Sequence, residues 1–304
     1  MRKSEKILNL IIPLISVLCI VVLWAIVALV VNNVYLMPGF FTTLTEVFRL
    51  FSTLEFYSAF LGTILRTLIS FIMALSFALV LSFLTFENKR AKSAIAPIIS
   101  IIRVLPTIAV VLLLLVWTNS FIAPIVVTFL VVFPTIYLNI ESAIKSIDYD
   151  QVECSKAFGA DDKYIFKNVV FPQILPNFFS AVGAGLSLNL KLMVAAEVLA
   201  LTVNSMGNLL QLAKLYDQMV TMMALVLVTV IFGLIIEGVF SYISKKVGKW
   251  LSVGLNHLYS YWIKNQTIIK NAWRNTLQAT FKRLIKQNRS YMHLVLQWNY
   301  LQWN

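Results

Sequence analysis

The chain carries apolar runs too long to be strands or ordinary core helices. The first, over residues 7–31, is about 25 residues of mostly aliphatic side chains, and comparable runs fall near 67–86, 95–117, 121–140, 178–200 and 222–243. A helix crosses the hydrocarbon core of a bilayer with ~20 apolar residues. Within lipid, every backbone N–H and C=O must find its partner inside the segment. The runs therefore predict about six transmembrane helices and an all-α polytopic membrane protein; a β-barrel strand would need only ~9–11 residues. Charged residues make up 12% of the chain, against about 25% in soluble domains. Arg2, Lys3 and Lys6 precede the first run as in a signal peptide. That run outlasts a signal core and no small-residue cleavage pattern closes it, so it reads as a retained span.

Lysine and arginine placement sets the orientation. Three basic residues lie in 1–6, three in 87–93, four in 141–177 and ten after 243, twenty of the 25 in the chain. An N-in, C-in topology puts all of these on the cytoplasmic side. It leaves Arg49, Arg66 and Lys214 outside and Arg103 and Lys191 within spans. The net charge of +12 thus faces anionic headgroups of the lipid bilayer, and no nucleic-acid partner is implied.

Residues 1–250 read as one transmembrane domain, with 32–66 as an external connection that turns at Leu36–Pro38. The third span holds Pro97 and Pro106 and the fourth Pro124 and Pro134; such prolines free carbonyls that neighbouring helices or a cavity must satisfy. Residues 117–120 join these two spans in a tight hairpin. Cys19 and Cys154 are too far apart in depth to pair, and both histidines lie in the tail, so no disulfide or metal set is expected.

One polar insert, residues 141–177, stands out against this background. Glu153 opens a helical pattern, Ala157 and Phe158 add small and apolar contacts, and Gly159 and Ala160 precede Asp161 and Asp162. Glycine permits a left-handed helix end and Asp caps a new helix. Two short helices joined at Gly159 and ended by Pro172 and Pro176 would make a cytoplasmic knob fit for a groove in a partner; an amphipathic loop lying on the membrane surface is the alternative.

The order Glu153, Gly159, then Val169-Val-Phe-Pro172 resembles the EAA loop of ABC-importer permeases. Cys154 and Ser155 replace the usual alanines there, and Val169 and Phe171 the usual Ile and Leu. Leu36-Met-Pro38, Arg103-Val-Leu-Pro106, Phe133-Pro134, Ser146-Ile-Asp148 and Ala195-Ala-Glu197-Val-Leu199 also fall where nitrate/sulfonate/taurine-type permeases carry similar runs. The resemblance implies a type I, MetI-like permease fold in a prokaryotic cytoplasmic membrane. It implies two permease subunits, a homodimer here, on a cytoplasmic ABC ATPase dimer, and an extracytoplasmic solute-binding protein. Glu153, Ala157, Phe158, Gly159 and Ala160 would be the coupling contact. The chain has no phosphate-binding loop of the G-x-x-x-x-G-K-[ST] kind, so it is read as no enzyme. It needs no cofactor of its own, with ATP and Mg on the partner ATPase.

Charges at bilayer depth are costly and normally face a cavity or a partner. Asn189, Lys191, Glu197 and Arg103 are the candidate pathway residues, Lys191 favouring an anionic solute. For Lys191 the competing reading is snorkelling, or pairing with Glu197 of a second subunit; for Arg103 it is a structural role. Ser180, Ala181, Gly183, Ala184 and Gly185 suit close helix packing, and Asn204–Gly207 suits an external turn. By resemblance the solute is sulfonate-, taurine- or nitrate-like. A thiamine-precursor-like heterocycle or an amino acid is the alternative, and an intramembrane enzyme the remote one. The tail, 251–304, is basic and aromatic, with Ile269, Trp273, Leu277, Phe281 and Leu284 at helical spacing, and reads as an interfacial helix or as disordered.

Overall fold

The structure, a computed structural model, describes residues 3–248 apart from Glu87 and Phe158. The tail lies outside the described residues. Helix α1 spans Lys3–Val31, α2 Phe40–Leu50, α3 Leu54–Phe86, α4 Lys89–Val104, α5 Thr107–Trp117 and α6 Ile122–Lys145. After these come α7 (Tyr149–Ala157), α8 (Asp162–Ile165), a π-helical turn at Phe166–Val170, α9 (Phe171–Ala200), α10 (Met206–Leu215) and α11 (Met219–Gly248).

Helices α3, α6, α9 and α11 are each long and apolar enough to cross a membrane; the α4–α5 pair makes a fifth span if counted as one, and Ile15–Val31 of α1 is a shorter apolar helix. Half or more of the apolar window is buried in α6 (56%) and α9 (50%), against 33% in α3 and 22% in α11. Helices α6 and α9 are therefore central. Phe71, Ala74 and Ala78 of α3 pack with Val132, Phe133, Ile136, Tyr137 and Ile140 of α6 and Val182 of α9. Small residues allow the close approach: a side chain at Gly183 would run into Phe240 of α11, and one at Gly185 would meet Ile136 and Phe71. Ala181 is buried with them, whereas Ser180 and Ala184 are exposed. Sequence spacing grouped these five residues, but only three point inward.

Three boundaries differ from the sequence reading. The second span starts at Leu54 rather than 67, because the amphipathic stretch before it continues the same helix. The third is two helices bent by 91°. Leu105 holds an extended ψ of 127° ahead of Pro106, as the proline ring demands of its predecessor. Finally, Pro172 and Pro176 do not end the polar unit. Asp162–Ala200 runs as one 39-residue helix, and the π turn lies just ahead of Pro172, where the Phe171 N–H reaches back to the Phe166 carbonyl. A wider turn makes room for a ring that would otherwise strike the carbonyl four residues back.

Candidate functional site

The polar insert folds as two short helices meeting at a glycine. Helix α7 ends in a Schellman motif: Gly159 takes a φ of +79°, its N–H donates to the Lys156 carbonyl at 2.9 Å, and the Ala160 N–H donates to that of Ser155 at 3.2 Å. Only glycine takes that backbone without strain. Asp161 then caps α8, its carboxylate accepting the Tyr164 N–H at 3.2 Å. Glu153 and Gly159 are exposed and Ala160 is half-buried, while Ala157 closes α7. Phe158 lies outside the described residues.

Beneath this surface the unit is tied to the bundle. Ile147, Ile165 and Val169 are buried. The Gln173 side chain accepts the Asp148 N–H at 2.7 Å and donates to Gln151 at 3.2 Å, and Asn177 donates to Ser146 Oγ at 3.0 Å. Helix α8 continues through the π turn into α9, so the end of the unit is one piece with a central helix.

At the opposite end of α9, Glu197 is fully buried. Its Oε1 accepts Arg66 Nε at 2.8 Å, and its Oε2 accepts Thr63 Oγ1 at 2.8 Å and the Gly207 N–H at 3.3 Å. Arg66 also donates to the Asn204 carbonyl at 3.0 Å and lies over the Phe121 ring. Thr63 Oγ1 accepts the Met206 N–H at 2.9 Å. Buried charges persist where pairing and hydrogen bonds compensate their desolvation, and here both are supplied. Added side chains at Gly62 and Gly207 would run into the Asn204 carbonyl and Glu197 respectively, so glycine is what lets α3 and α10 close on the pair.

A match to a known family covers the same helices. The model of the binding-protein-dependent transport system inner membrane component fits residues 74–249. The chain belongs to that family. A protein of Methanocaldococcus jannaschii named as an ABC transporter permease is 24% identical over 252 residues, covering 81% of this chain and 93% of that protein. The formylaminopyrimidine transport permease of Halalkalibacterium halodurans is 25% identical over 60% of this chain and 72% of its own. The Escherichia coli taurine transport system permease is 20% identical over 62% and 69%. Among solved structures, the inward-facing MetNI methionine ABC transporter superposes with a TM-score of 0.52 at 22% identity, covering 61% of this chain and 93% of that one. The MetI-like fold read from the sequence is therefore present, in a multi-pass protein of the cytoplasmic membrane. Its relatives are transport components rather than enzymes.

Within this permease the four intramembrane candidates separate. Asn189 is fully buried, donating to the Thr67 carbonyl and to Ser70 Oγ, both at 2.8 Å. Glu197 pairs with Arg66 of the same chain. These two face α3 rather than an open pathway, because an amide or carboxylate at that depth is held by the hydrogen bonds the neighbouring helix offers. Lys191 is different: it sits on the exposed face of α9 with Asn177, Ser180, Ala184, Ala195 and Leu199. Arg103 is exposed in the last turn of α4, where a cation suits the negative end of the helix dipole. The chain turns between α9 and α10 at Leu201–Ser205, with Asn204 exposed at a φ of +50°, and Met206–Gly207 already belong to α10. Ser205 caps α10 through the Asn208 N–H at 2.9 Å, and Ser205, Met206 and Gly207 are buried.

Sequence reasoning missed Arg66 and Thr63. Arg66 fell one residue outside the span drawn from 67. A buried glutamate in one span requires a countercharge at matching depth in another, and that requirement was the signal available.

Proposed function

We propose that this permease works as a pair of identical subunits moving a small anionic solute, with Lys191 on the pathway and the α7–α8 knob seated in a cytoplasmic ATPase. The carrying observation is the free face of α9: small and apolar side chains along a central helix, with one cation, Lys191, among them. Elsewhere on α9 the Asn189 amide N–H and the Glu197 carboxylate bond within the subunit, to α3. A second copy meeting this face brings two ammonium groups to one passage, which favours an anion over a cation.

The coupling reading rests on the exposed knob and its rigid connection. ATP and Mg bound by the ATPase supply the driving force. Closure of the ATPase pair displaces Glu153 and Gly159 of each knob, and the continuous α8–α9 helix carries that displacement to the face bearing Lys191. Alternating access is then a two-state equilibrium biased by nucleotide. An external solute-binding protein delivers the cargo. The taurine and formylaminopyrimidine permeases among the relatives mark the range of solutes, and Lys191 supports a solute bearing an anionic group such as the taurine sulfonate.

Uptake into vesicles holding the assembled importer tests the proposal, with taurine and formylaminopyrimidine as separate probes. Lys191→Ala is expected to lower taurine uptake about tenfold, while Lys191→Arg retains it. Full rate and affinity for both probes in Lys191→Ala would remove this residue from the pathway.

A further inference from the structure

We propose a phosphate-group site at the cytoplasmic end of the bundle, taken by the headgroup of an anionic phospholipid of the inner leaflet. It is a partly open depression of about 60 Å³ lined by Ser82, Thr85 and Phe86 of α3, Lys92 of α4, and Glu141, Ile144 and Lys145 of α6. Three helix ends meet here, just before the chain enters the coupling unit.

Two observations point independently to a ligand. The first is Ser82, whose side chain is buried with 5% of the residue exposed; among the described residues its Oγ has no hydrogen-bond partner. The neighbouring hydroxyls are satisfied: Thr85 donates to the Leu81 carbonyl at 2.9 Å and accepts from Tyr137 at 3.3 Å. A buried serine left without a partner is uncommon and signals a missing acceptor. The second is charge. Lys92 and Lys145 both reach the same oxygen of Glu141, at 2.5 and 2.9 Å. One carboxylate between two ammonium groups leaves a net positive charge and unused N–H donors on each lysine. Lys92 and Lys145 retain 43% and 67% side-chain exposure, so those donors remain within reach of the headgroup layer. The amides opening α4 are not what draws the anion, since Asn88 Oδ1 already accepts the Arg90 and Ala91 N–H groups.

A phosphodiester completes this arrangement. Its oxygens accept from Ser82 and from the free donors of Lys92 and Lys145, and Phe86 and Ile144 give apolar surface to the start of an acyl chain. Juxtamembrane lysines facing an anionic leaflet attract lipid in this manner. Bound there, the lipid would brace the α3–α4 turn against the base of α6.

Lipid retention by the full chain, purified in mild detergent, tests the site by mass-resolved binding of phosphatidylglycerol and phosphatidylcholine. Wild-type protein is expected to prefer phosphatidylglycerol by about fivefold, from the one net positive charge that Glu141 leaves on the two lysines. The preference should vanish in Lys92→Gln/Lys145→Gln. Ser82→Ala leaves the ion pairs intact and should weaken retention about fivefold. Competition by millimolar inorganic phosphate would show that the site reads the phosphate group alone; phosphate without effect would assign the whole lipid. Equal retention of the two lipids, or a preference unchanged in both variants, would overturn the proposal.

Discussion

Arg66 and Glu197 illustrate how a single pair can hold the outer end of a bundle. Removing one partner strands the other charge in a dry site, which costs about 3–5 kcal/mol. Arg66→Met or Glu197→Met should therefore lower thermal stability strongly. The double variant should cost less than the sum of the two, a difference measured by a double-mutant cycle. At the other end of the molecule, Gly159 is exposed with nothing near a would-be side chain, so its value lies in its backbone. Gly159→Ala is expected to cost about 1 kcal/mol of local order and to weaken co-purification of the ATPase. Gly159→Asn, which tolerates the left-handed region, should retain more. This turn was legible in the residue types, since a Gly followed by Asp is a stop and a start. The ion pair was not, because its partners lie 131 positions apart.

Elements show a similar division. Helix α2 was read as part of an external connection, yet it is fastened to α11. Thr221 donates to Glu46 at 2.8 Å, while Arg49 reaches both oxygens of the same carboxylate. The Arg49 hydrogen bond holds the Glu46 carboxyl below the ordinary range. A lowered folded-state value means that this contribution is present above the unfolded value of about 4.3. It is lost as pH falls through the lower folded one. Melting followed from pH 7 to pH 3 should show a loss in that acidic window, and Glu46→Gln should show less of it, the remainder coming from Glu141, which its two lysines hold low as well. Proline positions announced that helices would be interrupted. They did not say how: Pro106 sits at a 91° break, whereas Pro172 is absorbed by a π turn inside a continuing helix. The difference lies in the segment after each ring, a short apolar hairpin helix in one case and a long central span in the other.

For the molecule as a whole, the proposed function needs the α7–α8 unit and the exposed face of α9 to be joined, and the continuous Asp162–Ala200 helix joins them. Their use depends on which side each end faces. With Cys19 and Cys154 replaced by serine, Asp217→Cys should react with an impermeant maleimide in intact cells, and Asp150→Cys only after permeabilisation. The opposite pattern would invert the topology read from basic residues.

Sequence alone determined the solvent of this protein and its helical class, and it carries the readings of orientation and of a docking unit that the labelling and co-purification experiments test. These rest on properties local in the chain: apolar run length, the side on which lysines and arginines collect, and the glycine–aspartate punctuation at 159–162. Tertiary structure decided which polar side chains are spent and which are free. Asn189, Lys191 and Glu197 look alike as polar residues of one span. Helical rotation turns the first and last onto α3 and leaves Lys191 on the open face, and no single segment carries that information.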